Sequence, residues 1–152
     1  MFLTAAGSLW TIAADDGEPR RIRGADSVAV SPDGRELIIV LNEAAGIRLV
    51  RRALPSGEEH DVPIHGDVRL TPWPIAPNAI YRSGQIAVRV TKKDTWFWPA
   101  AILDPRTGNV EVLPEASTTD MLTPGWDSKG RVVTVAKVTR STLWRFQPVA
   151  GR

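Results

Sequence analysis

Short runs of apolar and β-branched residues, separated by tight polar turns, follow one another along the chain. Residues 96–103 are rich in aromatic and β-branched side chains, residues 104–108 have the composition of a turn, and residues 109–113 alternate polar with apolar. This pattern predicts a β-hairpin. Its first strand covers residues 96–103, and its second strand buries Val110 and Val112 or the neighbouring Leu113.

The same hairpin pattern recurs at regular intervals. It is present over residues 8–22 and 47–62, and it begins a fourth time at residue 142. The corresponding turn glycines are residues 17, 57, 108 and 151, so the interval between them is 40 to 51 residues. This is the spacing of β-propeller blades and not of helical repeats.

A second repeated signal, a polar turn followed by an apolar strand, lies between the hairpins. Residues 31–34 read Ser-Pro-Asp-Gly and residues 127–130 read Asp-Ser-Lys-Gly. A third copy, over residues 81–90, is degenerate because the proline-rich segment 72–77 precedes it. Each repeat therefore predicts four short antiparallel strands. Three turn glycines are predicted to have positive φ, namely Gly34, Gly108 and Gly130.

The predicted fold class is all-β, a partial ring of a β-propeller built from four-stranded antiparallel blades. Twelve glycines and twelve prolines interrupt the chain so often that no window holds a helical apolar period of three turns. The chain divides into a partial blade over residues 1–24, whole blades over residues 25–66 and 67–116, and a partial blade over residues 117–152. We expect about 14 strands in all, the last three of them over residues 121–126, 131–139 and 142–148.

Composition excludes several classes of function. The absence of cysteine excludes disulfides, thiolate metal sites and cysteine nucleophiles. The first residues lack the features of a signal peptide and no apolar run is long enough to span a membrane, which favours the cytoplasm and no membrane contact; a periplasmic or extracellular location fits a longer parent protein. Net charge is +2 and the pI about 9.4. The basic clusters (residues 20–23, 51–52 and 92–93) fall on predicted outer strands or turns, so we expect no nucleic-acid partner.

Catalytic and metal-binding patterns are absent. No Gly-x-Ser-x-Gly motif occurs, and Ser31 and Ser83 lie in predicted turns. His60 and His65 are five residues apart across a proline, so a regular strand directs their rings to opposite faces. Residues 15–17 lack the alternating carboxylates of a calcium loop. No helix follows a glycine turn, which argues against phosphate cradles. We therefore predict no catalytic residue, no metal and no cofactor.

Tryptophan is the remaining candidate for a functional residue type. Four of them lie near the same point of the third strand of each repeat and are interpreted as wedges between blades: Trp10, Trp96, Trp98 and Trp144. Trp73, between two prolines, is harder to explain as core. We assign Trp73, Trp126 and Tyr81 as candidate binding residues, because an exposed aromatic on a propeller rim suits a peptide, a glycan or a partner protein.

The residues also carry a resemblance to a known family. Residues 9–22, followed by residues 28–37 with their Ser-Pro-Asp-Gly turn, resemble the repeat of bacterial TolB-like and WD-repeat-like β-propellers. Residues 96–98, 102–108 and 141–146 look like the C-terminal propeller of acidobacterial TolB-like and serine/threonine-kinase-associated proteins. The resemblance covers nearly the whole chain. It implies a propeller fold, and it leaves function open because such propellers serve as interaction platforms, as sensors and as non-catalytic parts of peptidases.

Three functional hypotheses follow. The first is a non-enzymatic propeller module that binds a protein or a small ligand. An alternative is the propeller portion of a prolyl-oligopeptidase-type hydrolase whose catalytic domain lies elsewhere. A weaker alternative is carbohydrate binding through Trp73 and Trp126. Because two whole and two partial blades do not close a ring, we also expect the open blade edges to meet another copy of the chain or further blades of a longer chain.

Overall fold

The computed structural model describes residues 1–15, 17–93, 95–114, 119–138 and 142–144, and these contain strands but no helix. The strands are β1 (Phe2–Ala5), β2 (Ser8–Ile12), β3 (Pro19–Gly24), β4 (Ser27–Val30), β5 (Glu36–Glu43), β6 (Gly46–Ala53), β7 (Glu59–Asp61), β8 (Val68–Leu70), β9 (Ile86–Lys92), β10 (Ala100–Leu103), β11 (Val110–Val112), β12 (Thr119–Trp126) and β13 (Val132–Val138). The predicted all-β class is confirmed.

The strands form four antiparallel sheets that follow one another in chain order. Sheet 1 is β1-β2-β3, sheet 2 is β4-β5-β6-β7, sheet 3 is β8-β9-β10-β11 and sheet 4 is β12-β13. Sheets 2 and 3 are the two predicted four-stranded meanders. Within the described residues there are 13 strands. The fourteenth, predicted over residues 142–148, has no strand in residues 142–144 and otherwise lies outside the described residues.

Sheet 2 is buried on both faces, and strand β5 explains why. Leu37, Ile39 and Leu41 pack into one hydrophobic cluster with Leu9 of sheet 1. The alternate residues of β5, Ile38 and Val40, pack into a second cluster with sheet 3. Because successive side chains of a strand point to opposite faces, a strand between two neighbours is apolar at every position. This is the packing expected of a propeller blade.

Strand β9 of sheet 3 shows the same alternation with one exception. Ile86, Val88 and Val90 pack into the cluster shared with sheet 2. The opposite face of β9 lies towards β12 of sheet 4. Arg89 occupies that face, although only 6% of the residue is exposed. A cation therefore sits where the alternation calls for an apolar side chain.

The turn glycines have the predicted backbone conformation. Values of φ are +69° at Gly34, +76° at Gly108 and +77° at Gly130. In the first turn, the amides of Arg35 and Glu36 donate to the Ser31 hydroxyl, at 3.2 and 2.9 Å. These side-chain bonds close the turn without help from neighbouring strands.

The strand predicted over residues 96–103 is wrong in its first half, because β10 begins only at Ala100. The Phe97 amide donates to the Thr95 hydroxyl at 3.1 Å, which forms a local turn, and Pro99 has no amide to offer a neighbouring strand. The wedge interpretation is also wrong for two tryptophans. Trp96 is 94% exposed and Trp144 is 76% exposed, so neither separates two sheets.

Candidate functional site

The segment over residues 71–85, between β8 and β9, carries two of the three predicted binding residues and ties three sheets together. The Ile75 amide donates to the Ser27 hydroxyl of sheet 2 at 3.2 Å. At its far side, the Trp126 amide donates to the Asn78 carbonyl at 2.9 Å, and Asn78 Nδ2 donates to the Trp126 carbonyl at 2.9 Å. The segment is thus held at sheets 2 and 4 as well as at its own sheet.

Two of the predicted binding residues, Tyr81 and Trp126, contact each other. Their rings are stacked with centroids 4.7 Å apart and planes inclined by 29°. Gly130 lies directly against the Tyr81 ring, where a Cβ atom would collide with it. Both rings are half-buried. This pair joins the segment to sheet 4, and the face that each ring turns towards the other is used within the protein.

The third predicted residue, Trp73, belongs to a different group of side chains. Trp73 is 51% exposed. Its ring centroid lies 6.3 Å from that of Trp98, with planes inclined by 51°. Arg89 Cζ lies 4.8 Å from the Trp73 centroid and 4.7 Å from the Trp98 centroid. Trp73, Trp98 and Arg89 therefore form one cluster, the cation–aromatic cluster, at the face of sheet 3 that looks towards sheet 4.

Arg89 is the most unusual member of this cluster. Its Nε donates to the Thr71 hydroxyl at 3.0 Å. Its Nη2 is buried and has no hydrogen-bond partner in the described part of the chain. Burial lowers the pKa of Arg89 below its usual range, and the charge of Asp120 opposes that shift. Arginine is basic enough to remain charged at neutral pH in spite of this shift.

Asp120 lies near the cluster but is committed to another group. One of its carboxylate oxygens accepts a hydrogen bond from the Trp98 amide at 3.1 Å. Within the described residues, no carboxylate lies close enough to Arg89 to form a salt bridge. Asp120 therefore positions Trp98 and compensates the Arg89 charge only from a distance.

Arg89 also lines a small cavity of about 20 Å³. Its walls include Leu70, Thr71, Trp73, Ile75 and Pro124. Thr123, on the same wall, has a φ of +46°, a strained conformation for a β-branched residue. It lies at the irregularity in the pairing of β12 with β13, between Leu122 and Gly125. Pro124, the next residue, also lines the cavity.

The sequence carries a signal for Arg89, although Arg89 is not among the predicted binding residues. Residues 86–90 read Ile-Ala-Val-Arg-Val, so a single Arg interrupts a strand that is otherwise apolar on both faces. Such a cation either reaches water at the strand edge or needs polar partners inside the protein. Its aromatic neighbours, however, come from residues 16 positions before it and nine after it, on segments without regular structure. Their meeting depends on the tertiary fold.

The two histidines, His60 and His65, contact different neighbours. His60 Nε2 lies 3.0 Å from a Glu58 carboxylate oxygen. The His65 amide donates to the Gly108 carbonyl at 2.9 Å, and its ring lies against the same turn. The described residues include no group of three or more His, Cys, Asp or Glu that could hold a metal ion.

Three aspartates serve the turns. A hydrogen bond from the Ser31 hydroxyl, followed by one from the Arg35 amide, lowers the pKa of Asp33. Backbone amides of the following residues likewise lower the pKa of Asp104 and that of Asp127, in the latter case together with the Arg131 side chain. Each of these carboxylates accepts hydrogen bonds from turn residues whose donors would otherwise bind water. The role of the three aspartates is therefore structural.

Several of the basic residues are paired with acidic neighbours. Arg23 and Arg52 both bind Glu59, and Arg51 lies 3.6 Å from Glu36. Arg51 and Glu36 also line an open cleft of about 510 Å³ between sheets 2 and 3, together with Arg82 and Arg106. The lining of this cleft therefore carries both acidic and basic side chains. Among the described residues there is also no helix of the length and apolarity needed to cross a membrane.

Comparison with known proteins supports the fold. No family model and no curated protein matches the chain. Among the solved structures that are similar is TolB from Acinetobacter baumannii, with a TM-score of 0.56 and 14% identity over 90% of this chain. Another is acylaminoacyl peptidase from Pyrococcus horikoshii, with a TM-score of 0.51 and 12% identity over 91% of this chain. The likeness spans 37% and 28% of those two chains. The predicted partial β-propeller of TolB-like fold is therefore confirmed.

Proposed function

We propose that this chain is a non-enzymatic β-propeller module that binds a peptide, a protein segment or a small ligand at the cation–aromatic cluster. The observation that carries the proposal is the half-exposed Trp73 ring, which lies directly over a buried cation. Large aromatic side chains next to a desolvated charge are typical of binding hot spots. The small cavity beside it has the composition of a ligand site, apolar walls with a few polar groups, and reaches the size of a ligand only if the Trp73 side chain moves.

The segment that carries Trp73 is suited to binding because it is already ordered. Pro72 and Pro74 restrict its backbone on both sides of Trp73, and hydrogen bonds at Ile75 and Asn78 fix its course. A surface that is held in place before the ligand arrives loses little conformational entropy on binding. Tyr81 and Trp126, the other candidate residues, contribute by holding this segment against sheet 4.

The chain offers a matched pair of variants for testing the proposal. Trp73→Ala removes a ring over Arg89, whereas Trp96→Ala removes a ring that is 94% exposed. The probes are a panel of short N-acetylated peptides and a panel of oligosaccharides, read by the indole signals of ¹⁵N-labelled protein. We expect peptides to shift the Trp73 signal and Trp73→Ala to weaken binding about tenfold or more, with Trp96→Ala unchanged.

Other results of the same screen separate the alternatives. Equal binding by the two variants would place the ligand elsewhere and contradict the proposal. Oligosaccharides that shift the Trp73 signal in place of peptides would favour the carbohydrate hypothesis. Hydrolysis of peptides or activated esters by the purified chain, measured in the same samples, would contradict a non-enzymatic role.

We further propose that the open edge of sheet 4 associates with another copy of the chain. Val133, Val135 and Val138 of β13 are 44%, 64% and 63% exposed. The edge of β13 away from β12 pairs with no strand among the described residues. An exposed apolar strand with a free edge is a template for pairing, and its burial contributes about 25 cal/mol per Å² of apolar surface. Static light scattering of the purified chain tests this association.

A further inference from the structure

We propose that Arg89 recognises a carboxylate that the ligand carries beside an apolar group, such as the free C-terminus of a peptide that ends in an aliphatic residue. This inference deepens the proposed function and rests on it. It starts from a buried cation whose Nη2 has no hydrogen-bond partner within the described residues. A buried charge is costly unless it is paired, so an anion that binds at this position would stabilise the chain.

The protein offsets the Arg89 charge only in part. The two indole rings attract the guanidinium through their electron-rich faces. The Thr71 hydroxyl accepts one of the five N–H donors. Asp120, the acidic group whose charge acts on Arg89, is held by the Trp98 amide. A purely structural Arg at the face of a sheet would be expected to pair with a carboxylate, and this one does not among the described residues.

The surroundings favour a carboxylate over a phosphate. Nε is already used by Thr71, so the guanidinium has only its terminal nitrogens left for a ligand. A carboxylate is planar, carries one charge and is satisfied by two parallel N–H donors. A phosphate carries more charge on more oxygens and needs further donors. Apart from the hydroxyls of Thr71 and Thr123, the nearby walls are mostly apolar, as at Leu70, Ile75 and Pro124. The same walls explain why the ligand needs an apolar group next to its charge.

The position of Trp73 makes it the entrance to the site. The cavity of about 20 Å³ has room for one group the size of a water molecule, which is less than a carboxylate and its neighbouring carbon need. Leu70 and Ile75 are wall residues on fixed backbone, whereas the Trp73 ring is half exposed to solvent. We therefore expect the Trp73 side chain to rotate and pack against the apolar group of the ligand when the carboxylate binds, while the backbone of its segment stays in place.

The experiment compares a carboxylate with its neutral isostere on the intact chain. N-acetyl-leucine and N-acetyl-leucinamide differ in one charged group, and sodium chloride keeps the ionic strength equal. Binding is followed by the Arg Nε–H and indole signals of ¹⁵N-labelled protein. We expect the acid to bind at least about tenfold more tightly than the amide, because a charge-assisted hydrogen bond is lost in the amide.

Two variants assign the effect to Arg89. Arg89→Gln removes the cation and keeps a polar side chain of similar length, and Arg82→Gln removes a cation that is exposed in the turn before β9. We expect Arg89→Gln to abolish the preference for the acid and Arg82→Gln to retain it. Thermal unfolding adds an independent readout, since the acid should raise the Tm of the wild-type chain and leave that of Arg89→Gln unchanged.

Each outcome decides the inference. Equal binding of acid and amide by the wild-type chain would overturn it, and this result requires no variant and so does not depend on whether Arg89→Gln folds. An acid preference that survives in Arg89→Gln would also overturn it. If peptides shift Trp73 regardless of whether their C-terminus is free or amidated, the proposed function stands and the carboxylate inference fails. If neither form shifts Trp73, both fail.

Discussion

Glycines with nearly the same backbone conformation differ here in what surrounds them. Gly34 and Gly108 have φ values of +69° and +76°. No atom lies within 4 Å of the position that a Cβ atom would take at Gly34, whereas at Gly108 that position is 2.7 Å from the His65 ring and 2.9 Å from the Pro63 carbonyl oxygen. The first glycine is required by the backbone alone, and the second also by close packing between two turns.

This difference predicts a graded response to alanine. We expect Gly34→Ala to lower the free energy of unfolding by about 1 kcal/mol, the cost of a left-handed conformation. Gly108→Ala and Gly130→Ala should cost more, because the new methyl group also collides with His65 or Tyr81. Chemical denaturation followed by circular dichroism measures all three. Equal losses for Gly34→Ala and Gly108→Ala would contradict the packing argument.

At the scale of the element, the polar turns and the strands that follow them were predictable from the sequence. The turns over residues 31–34 and 127–130 are closed by their own side chains, and the β-branched runs after them became β5 and β13. The strand predicted over residues 96–103 failed for an equally local reason. The Thr95 hydroxyl accepts a hydrogen bond from the Phe97 amide, and this local bond competes with strand pairing. The aromatic composition of the stretch predicted a strand and gave no indication of this competing bond.

The candidate site was only partly predictable. Trp73 stood out because prolines flank it, and it does lie at the cluster. Tyr81 and Trp126 were identified as exposed binding groups, yet they stack on each other. Arg89 was not identified at all. The segment over residues 71–85 has no periodicity, so its course depends on contacts with Ser27 and Trp126 that lie 48 residues from their partners in the chain.

At the scale of the whole molecule, the sheets differ in how completely they are covered. Sheet 2 has a neighbour on each face. In sheet 4, the side chains of β13 are exposed along nearly the whole strand. A blade is stabilised by packing against its neighbours, and we propose that another copy of the chain covers the outer side of sheet 4.

Light scattering at micromolar concentration tests how that cover is supplied. We expect the chain to be larger than a monomer, with a mass that falls on dilution. Val135→Lys places a charge in the middle of β13 and should shift the population towards monomer, while Lys137→Arg, on the same strand, conserves the charge and serves as the control. A monodisperse, folded monomer for the wild-type chain would contradict self-association.

The two-sided burial of β5 has a consequence for the order in which the molecule opens. One hydrophobic cluster contains Leu37, Ile39 and Leu41 from one face of β5, and the other contains Ile38 and Val40 from the opposite face. The two edges of the strand pair with β4 and β6. No small local fluctuation can expose these amides without separating sheets 1, 2 and 3 together. Hydrogen–deuterium exchange should therefore be slowest in β5, with protection close to that of global unfolding, and fast in β13. If peptides from β5 and β13 exchange at similar rates, the four sheets unfold as one cooperative unit. The expected difference in rates instead predicts that unfolding begins at sheet 4 and proceeds towards sheet 2.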